Sequence, residues 1–258
     1  MTQFKNSSIL VIGGTGFIGI NFVKRILEHG AKVTCLSLTK SKNKIYHKNL
    51  KYVTCDYTKI SILKKKINKP FKYVVNLGGY IDHSKFFNKG RLVIDNHFLS
   101  TMNLLVLLNK KKLKRYLHIG TCDEYGENSS PIKESSREDP ITSYALAKLA
   151  SINLLIMLNK TEKFPSTALR LFLVYGPHQK SDRLIPQVIK GCLKKIKFPV
   201  SKGIQLRDFC YVDDVVNAII LALIKKEALG QVFNVGSGKP VSVKFIIKKI
   251  SKIIRQGK

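Results

Sequence analysis

The chain has 258 residues, 44% hydrophobic and 24% charged, enough to bury a sizeable core in one large domain with room for a small appended lobe. Forty-six Lys and Arg stand against sixteen Asp and Glu, a net charge of +30, yet 38 of those cations are lysines scattered from end to end and only eight are arginines. Recognition of planar phosphate and base edges favours arginine, so the charge is read as biased composition on solvated faces, which excludes a nucleic-acid partner while still favouring an anionic substrate.

The first residues lead straight into an apolar run, Ile9–Ile12, that reads as a buried strand and leaves no room for a signal peptide. Glycines follow at 13, 16 and 19, and an apolar-periodic helix continues to about His29, where Gly30 stops it. Such a strand–turn–helix can hold a dinucleotide diphosphate: Gly13 makes the turn, Gly16 lets the backbone approach the phosphates, and Gly19 lets the helix pack closely. With 17 glycines the spacing arises by chance about 0.07 times in such a chain, so a plain tight turn is the weaker reading.

Strands are predicted next at Lys32–Leu38, Lys51–Cys55 and Tyr73–Leu77, with a helix near Ile60–Ile67. A long helix spans Arg91–Asn109, then come a strand at Arg115–Ile119, a polar loop at Gly126–Ile141, a helix at Ser143–Asn159 and a strand at Thr167–Phe172. Beyond Tyr175 the pattern loosens into helices at Leu184–Leu193 and Asp213–Lys226, a strand at Gln231–Val235 and a last helix at Val243–Arg255. Alternating β and α segments with apolar strands predict an α/β fold, a Rossmann-like doubly wound parallel sheet covered on both faces. No apolar run reaches the roughly 20 residues of a membrane span. Five cysteines, Cys35, Cys55, Cys122, Cys192 and Cys210, lie far apart and predict reduced thiols in the cytoplasm, with no disulfide frame and no metal site.

The second strand ends at Ser37, where an Asp or Glu would bond the adenosine ribose and select NAD; a hydroxyl with Lys40 and Lys42 nearby tips the choice slightly toward NADP. Asp56, after the third strand, suits either the adenine amino group or a local turn. Tyr144 and Lys148 lie one helical turn apart, and a neighbouring ammonium is expected to lower the phenol pKa from about 10 and so make a general acid/base. Tyr-x-x-x-Lys arises by chance about 1.5 times at this composition, so placement carries the reading. The pair opens the helix after the strand that ends in Gly120-Thr121, at the carboxyl edge where such sheets bind ligands.

On these residues the chain resembles the extended short-chain dehydrogenase/reductases, and within them the NAD(P)-dependent nucleotide-sugar epimerases, dehydratases and reductases of polysaccharide biosynthesis. The resemblance spans nearly the whole chain: Gly13–Gly19, Asp56, Asn76-Leu77-Gly78-Gly79, Asn96 to Asn103, Thr121 with Tyr125-Gly126, Tyr144 with Lys148, Leu169-Arg170 to Pro177, Arg207 to Asp214 and Phe233 to Gly238. It implies a cofactor held by Gly13, Gly16, Phe17, Ile18, Gly19, Ser37, Asp56, Leu77, Gly78, Gly79, Asn96, Tyr144 and Lys148. It implies catalysis by Thr121, Tyr144 and Lys148, and a nucleotide-diphosphate sugar held by Tyr80, Thr121, Arg183 and Arg207. Residues 1–174 would form the cofactor domain and 175–258 a small substrate lobe interleaved with the end of the sheet. A homodimer would form through helices 96–108 and 144–158.

Three departures shape the expectation. Dehydratases follow the threonine with Asp and Glu, whereas Cys122 and Asp123 follow it here; a thiol is a poor acid for expelling water, although Asp123 and Glu124 are candidates to substitute. Leu173 stands where many relatives carry a substrate-contacting asparagine, and Lys258 comes soon after Gly238, which implies a truncated substrate lobe. The expected activity is a 4-epimerase or 4-keto reductase; a 4,6-dehydratase and a catalytically silent NAD(P)-binding scaffold stay open.

Overall fold

The computed structural model describes residues 3–40, 44–196 and 200–256. In chain order its strands are β1 (Ser8–Ile12), β2 (Lys32–Ser37), β3 (Leu50–Thr54), β4 (Tyr73–Asn76), β5 (Arg115–Thr121), β6 (Ser166–Leu171), β7 (Leu173–Tyr175), β8 (Leu206–Arg207), β9 (Phe209–Tyr211), β10 (Val232–Val235) and β11 (Val241–Ser242). The helices are α1 (Phe17–Glu28), α2 (Ile60–Lys66), α3 (Arg91–Ile94), α4 (Ser100–Leu107), α5 (Ser143–Glu162), α6 (Leu184–Lys194), α7 (Val212–Ile224) and α8 (Val243–Gln256).

Seven strands form one parallel sheet in the order β10-β6-β5-β4-β1-β2-β3. The order reverses beside β1, whose neighbours are β2 on one side and β4 on the other. This is the doubly wound Rossmann-like arrangement, and its ligand crevice lies where the connections after β1 and β4 diverge. Alternate residues of β1 explain why the whole strand is apolar. Ile9 and Val11 pack with Phe22, Val23 and Ile26 of α1 and Val215 and Ile219 of α7. Leu10 and Ile12 pack on the opposite face with Leu63 of α2, Leu104 of α4 and Leu155 of α5. Each such side chain contributes about 1.5–3 kcal/mol by leaving water.

Buried polar groups tie the layers together. Arg115, at the start of β5, donates to Thr167 Oγ1 at 2.8 Å and to the Ala222 and Lys225 carbonyls at 2.9 and 3.0 Å, which satisfies the carboxyl end of α7. Beyond the main sheet, β8 pairs with β11 and α6 packs on α8, while β7 pairs with β9.

The long predicted helix differs from expectation. It begins at Phe86 instead of Arg91 and ends at Leu107, with π-helical turns at Phe86–Gly90 and Asp95–Leu99. Gly90 lies within this helix, and its missing Cβ lets the helix approach Ser143 at the start of α5. The second π turn follows from hydroxyls that bond carbonyls four residues back: Ser100 Oγ to Asn96 O and Thr101 Oγ1 to His97 O, both at 2.7 Å. The strands β7, β8, β9 and β11 are too short to show a period and went unpredicted. Among the described residues no helix is long and apolar enough to cross a membrane, and no group of His, Cys, Asp and Glu is placed to hold a metal.

Candidate active site

The glycine turn follows directly from β1. Gly13 takes φ +73°, donates to Leu36 O at 2.8 Å, and lies so close to the β4 turn that a Cβ would meet Leu77 O. A Cβ on Gly19 would strike Gly13 O, so that glycine is what lets α1 seat against the turn. Gly16 caps α1 without a side-chain acceptor, and no acidic residue occupies the first turn. Gly16 N–H donates to Gly13 O at 3.0 Å and closes the turn, while the first N–H groups of α1, at Phe17 and Ile18, with the positive end of the helix behind them, fit a diphosphate.

Ser37 and Asp56 sit at the adjacent ends of β2 and β3, where Ser37 is in register with Thr54. Ser37 Oγ donates to Thr39 O at 3.0 Å. Asp56 Oδ1 accepts from Thr58 N at 3.1 Å and from Thr58 Oγ1 at 2.6 Å, an Asx-turn that realises the local role for that carboxylate oxygen. Lys40 is exposed, and Lys42 lies outside the described residues. The turn after β4 is held by buried Asn76, which accepts from Gly78 N at 3.1 Å and donates to Tyr116 OH at 3.0 Å. Asn103 donates to Thr58 O at 2.7 Å and so ties α4 to the β3 turn.

Thr121, Tyr144 and Lys148 come together at the carboxyl ends of β4 and β5. Thr121 caps a short 3-10 turn, Cys122–Tyr125: its Oγ1 accepts from Asp123 N at 3.2 Å, while Glu124 Oε1 accepts from Thr121 N at 2.9 Å. Tyr144 is buried beside Thr121, near enough for the hydroxyl to act on its phenol. Lys148, 4% exposed, donates to Ile119 O at 2.9 Å and Gly78 O at 3.2 Å, bridging the cofactor turn and β5.

The protonation pattern corrects one expectation. Burial, followed by the Asp123 carboxylate, pushes the Tyr144 phenol above its ordinary value, and the neighbouring Thr121 hydroxyl opposes this. Burial pulls Lys148 down to about 8, with Glu124 opposing. Lys148 is thus turned toward two carbonyls and does not lower the phenol as the spacing predicted; helical spacing fixes a shared face, not the depth of burial. Burial and Asp123 push the Cys122 thiol up to about 12, and it donates to Asp123 Oδ1 at 3.7 Å. Glu124 is wholly buried and bonded to Arg170 Nε at 2.6 Å, which removes it as a substitute acid.

His97 is a member of the site that the sequence reading missed. It is 2% exposed, its Nε2 lies 3.0 Å from Tyr80 O, and its ring meets the Tyr144 ring edge-on at 5.2 Å. Burial and the Lys148 charge push it down to about 3, so it stays neutral. A histidine within a helical pattern carries no signal of this contact. On the substrate side, Tyr80 is 41% exposed and its hydroxyl accepts from Asn96 Nδ2 at 3.1 Å. Exposed Arg207 lines a cleft of about 310 Å³ with Leu173, Leu184, Gln187, Gln205 and Val243. Arg183 precedes α6 and is exposed.

A model of the NAD dependent epimerase/dehydratase family matches residues 9–236. The chain is 27% identical to dTDP-D-glucose 4,6-dehydratase of Dictyostelium discoideum, over 95% of its own length but only 62% of that protein's. It is 30% identical to a putative UDP-glucose 4-epimerase of Methanocaldococcus jannaschii, covering 91% of this chain and 78% of that one. The solved UDP-N-acetylglucosamine 4-epimerase of Methanobrevibacter ruminantium M1, in complex with UDP-N-acetylmuramic acid, superposes with a TM-score of 0.89 at 27% identity, over 97% of this chain and 83% of that one.

The buried lysine sets a pH dependence. Its folded value near 8 lies below the ordinary 10.5, so between these the unfolded chain binds more protons and stability rises with pH; below pH 8 that gain is absent. Relative to Lys148→Met, the wild-type unfolding free energy is expected to climb by up to about 3 kcal/mol from pH 8 to 10.5, at about 1.4 kcal/mol per pH unit, in urea titrations. A flat difference would contradict the assignment.

Proposed function

The chain belongs to the NAD dependent epimerase/dehydratase family, and from that premise we propose that it is a nucleotide-sugar oxidoreductase of the 4-epimerase or 4-keto reductase type. The observation that carries this reading is the convergence of Thr121, Tyr144 and buried Lys148 at the carboxyl edge of the sheet, with Lys148 bonded to the β4 turn at Gly78 O and to β5 at Ile119 O. When bound, NAD(P) supplies the hydride-accepting nicotinamide. Gly16, Phe17 and Ile18 would hold its diphosphate, with Leu77, Gly78, Gly79, Asn96 and Lys148 along the rest of it. Tyr144 would exchange a proton with the oxygen at sugar C4, and Thr121 would hydrogen-bond that oxygen. A neutral phenol suits proton delivery to a 4-ketone, the half-reaction that both activities share. Tyr80, Arg183 and Arg207 would hold the nucleotide diphosphate of the sugar, which the excess of lysine also draws in.

Dehydration is the weaker reading. The residue after Thr121 is a thiol held protonated up to about 12, too weak an acid to deliver a proton to a leaving hydroxyl. The five unpaired cysteines support a reducing cytoplasm. The helices of residues 96–108 and 144–158 leave Val106 at 74%, Leu146 at 48% and Met157 at 45% exposure, which supports a homodimer built on them.

Incubation of the protein with NAD and UDP-glucose or UDP-N-acetylglucosamine, followed by NMR, is expected to show inversion at C4, or reduction when a 4-keto sugar and the reduced cofactor are supplied. Tyr144→Phe is expected to lose roughly 10²–10⁴-fold in rate. Cofactor binding without turnover in any of these assays would favour the scaffold alternative. Because Ser37 replaces a carboxylate, the Kd for NADP is expected to equal or lie below that for NAD in isothermal titration, and Ser37→Asp should weaken NADP at least tenfold; a hundredfold wild-type preference for NAD would contradict this. Sedimentation velocity at micromolar concentration is expected to show a two-chain species, and Val106→Glu a single chain; a monomeric wild type would contradict the dimer.

A further inference from the structure

Behind the Thr121–Tyr144 pair lies a buried charged network that the proposed chemistry leaves unused. Arg170 on β6 is 1% exposed and donates from all three of its nitrogens: Nε to Glu124 Oε2 at 2.6 Å, Nη2 to Glu138 Oε1 at 2.6 Å and Nη1 to Tyr125 OH at 2.8 Å. Its guanidinium also lies 4.6 Å from the centre of the Tyr125 ring. These partners lead to both halves of the pair. Glu124 uses its other oxygen, Oε1, to accept from the backbone N–H of Thr121, so one arm reaches the threonine through a single side chain. Glu138 belongs to the loop whose Asp139 N–H donates to Glu124 O at 3.0 Å. That loop ends at Thr142, the cap of α5, two residues before Tyr144. A third arm runs from Tyr125 OH to Asn234 Oδ1 at 2.9 Å, and Asn234 N donates to Glu134 Oε1 at 2.8 Å, fastening the same loop to β10.

We infer that Arg170 is a positioning residue that sets the separation of the Thr121 and Tyr144 hydroxyls, an inference that rests on reading those hydroxyls as the proton relay. A rigid planar fork with several donors can hold two carboxylates and a phenol at fixed angles, which a lysine cannot reproduce. Replacing such buried ions by well-packed apolar groups is often neutral for stability, so the network is explained by the geometry it imposes more than by the stability it adds.

The test uses Arg170→Lys in the full chain, with amide hydrogen exchange as a readout that needs no turnover. Exchange at Thr121 and Asp123 is expected to rise at least tenfold, while amides of β1 and β4 stay within twofold and the Kd for NAD stays within threefold. With a turnover assay, kcat should fall at least tenfold and KM stay within threefold. Uniform acceleration of exchange would mark a merely structural residue, and unchanged exchange at Thr121 would remove the link; either overturns the inference even if the wild type turns over no sugar. An unchanged kcat despite loosened exchange would also overturn it. Glu138→Gln, at the half-buried end of the network, is judged by the same criteria and carries the test if Arg170→Lys does not fold.

Discussion

A parallel sheet covered on both faces presents its interior strands to a ligand only at their ends, and the candidate site residues of this chain gather at the carboxyl ends. The reversal of strand order beside β1 opens the connections after β1 and β4 in opposite directions, and the glycine turn, the β4 turn and the end of β5 border that opening. Most candidate cofactor contacts stand on one of these ends or on the helix that follows it, and Ser37 and Asp56 stand at the neighbouring ends of β2 and β3. The close fit of α1 onto the turn depends on a missing Cβ at Gly19, so a change of one atom group there would displace the helix N-terminus that faces the diphosphate.

Burial is what separates the two titrating groups. Both Tyr144 and Lys148 are pushed toward their neutral forms, the phenol up and the ammonium down to about 8. Carbonyls of Gly78 and Ile119 accept from the lysine, neutral His97 packs on the tyrosine ring, and Thr121 lies beside the phenol. The residue after the threonine is a protonated thiol where elimination would need an acid. This pattern supports the proposed proton exchange at a carbonyl or hydroxyl over the expulsion of water.

Much of this was legible from spacing. Glycines at 13, 16 and 19 after an apolar run marked the turn, alternation of apolar segments marked the doubly wound sheet, and Tyr144 with Lys148 were placed by the strand that precedes them. What was not legible depends on contacts between segments distant in sequence. No local pattern reports that Arg170 meets both Glu124 and Glu138, that His97 lies against Tyr144, or that burial pulls Lys148 down to about 8. Asp56 showed the opposite limit: its position suited both a ligand and a turn, and its Oδ1 serves the turn. The second π turn of the long helix arises from Ser100 and Thr101, whose hydroxyls were visible in the sequence but whose choice of carbonyl was not.

A crystal structure of the chain grown with NAD would address the joint arrangement of turn and proton relay most directly. The expected result is a diphosphate on the N–H groups of Phe17 and Ile18, with the nicotinamide ring beside the Tyr144 and Thr121 hydroxyls. A diphosphate bound elsewhere, or a Tyr144 hydroxyl directed away from the nicotinamide, would contradict the assignment of this cleft.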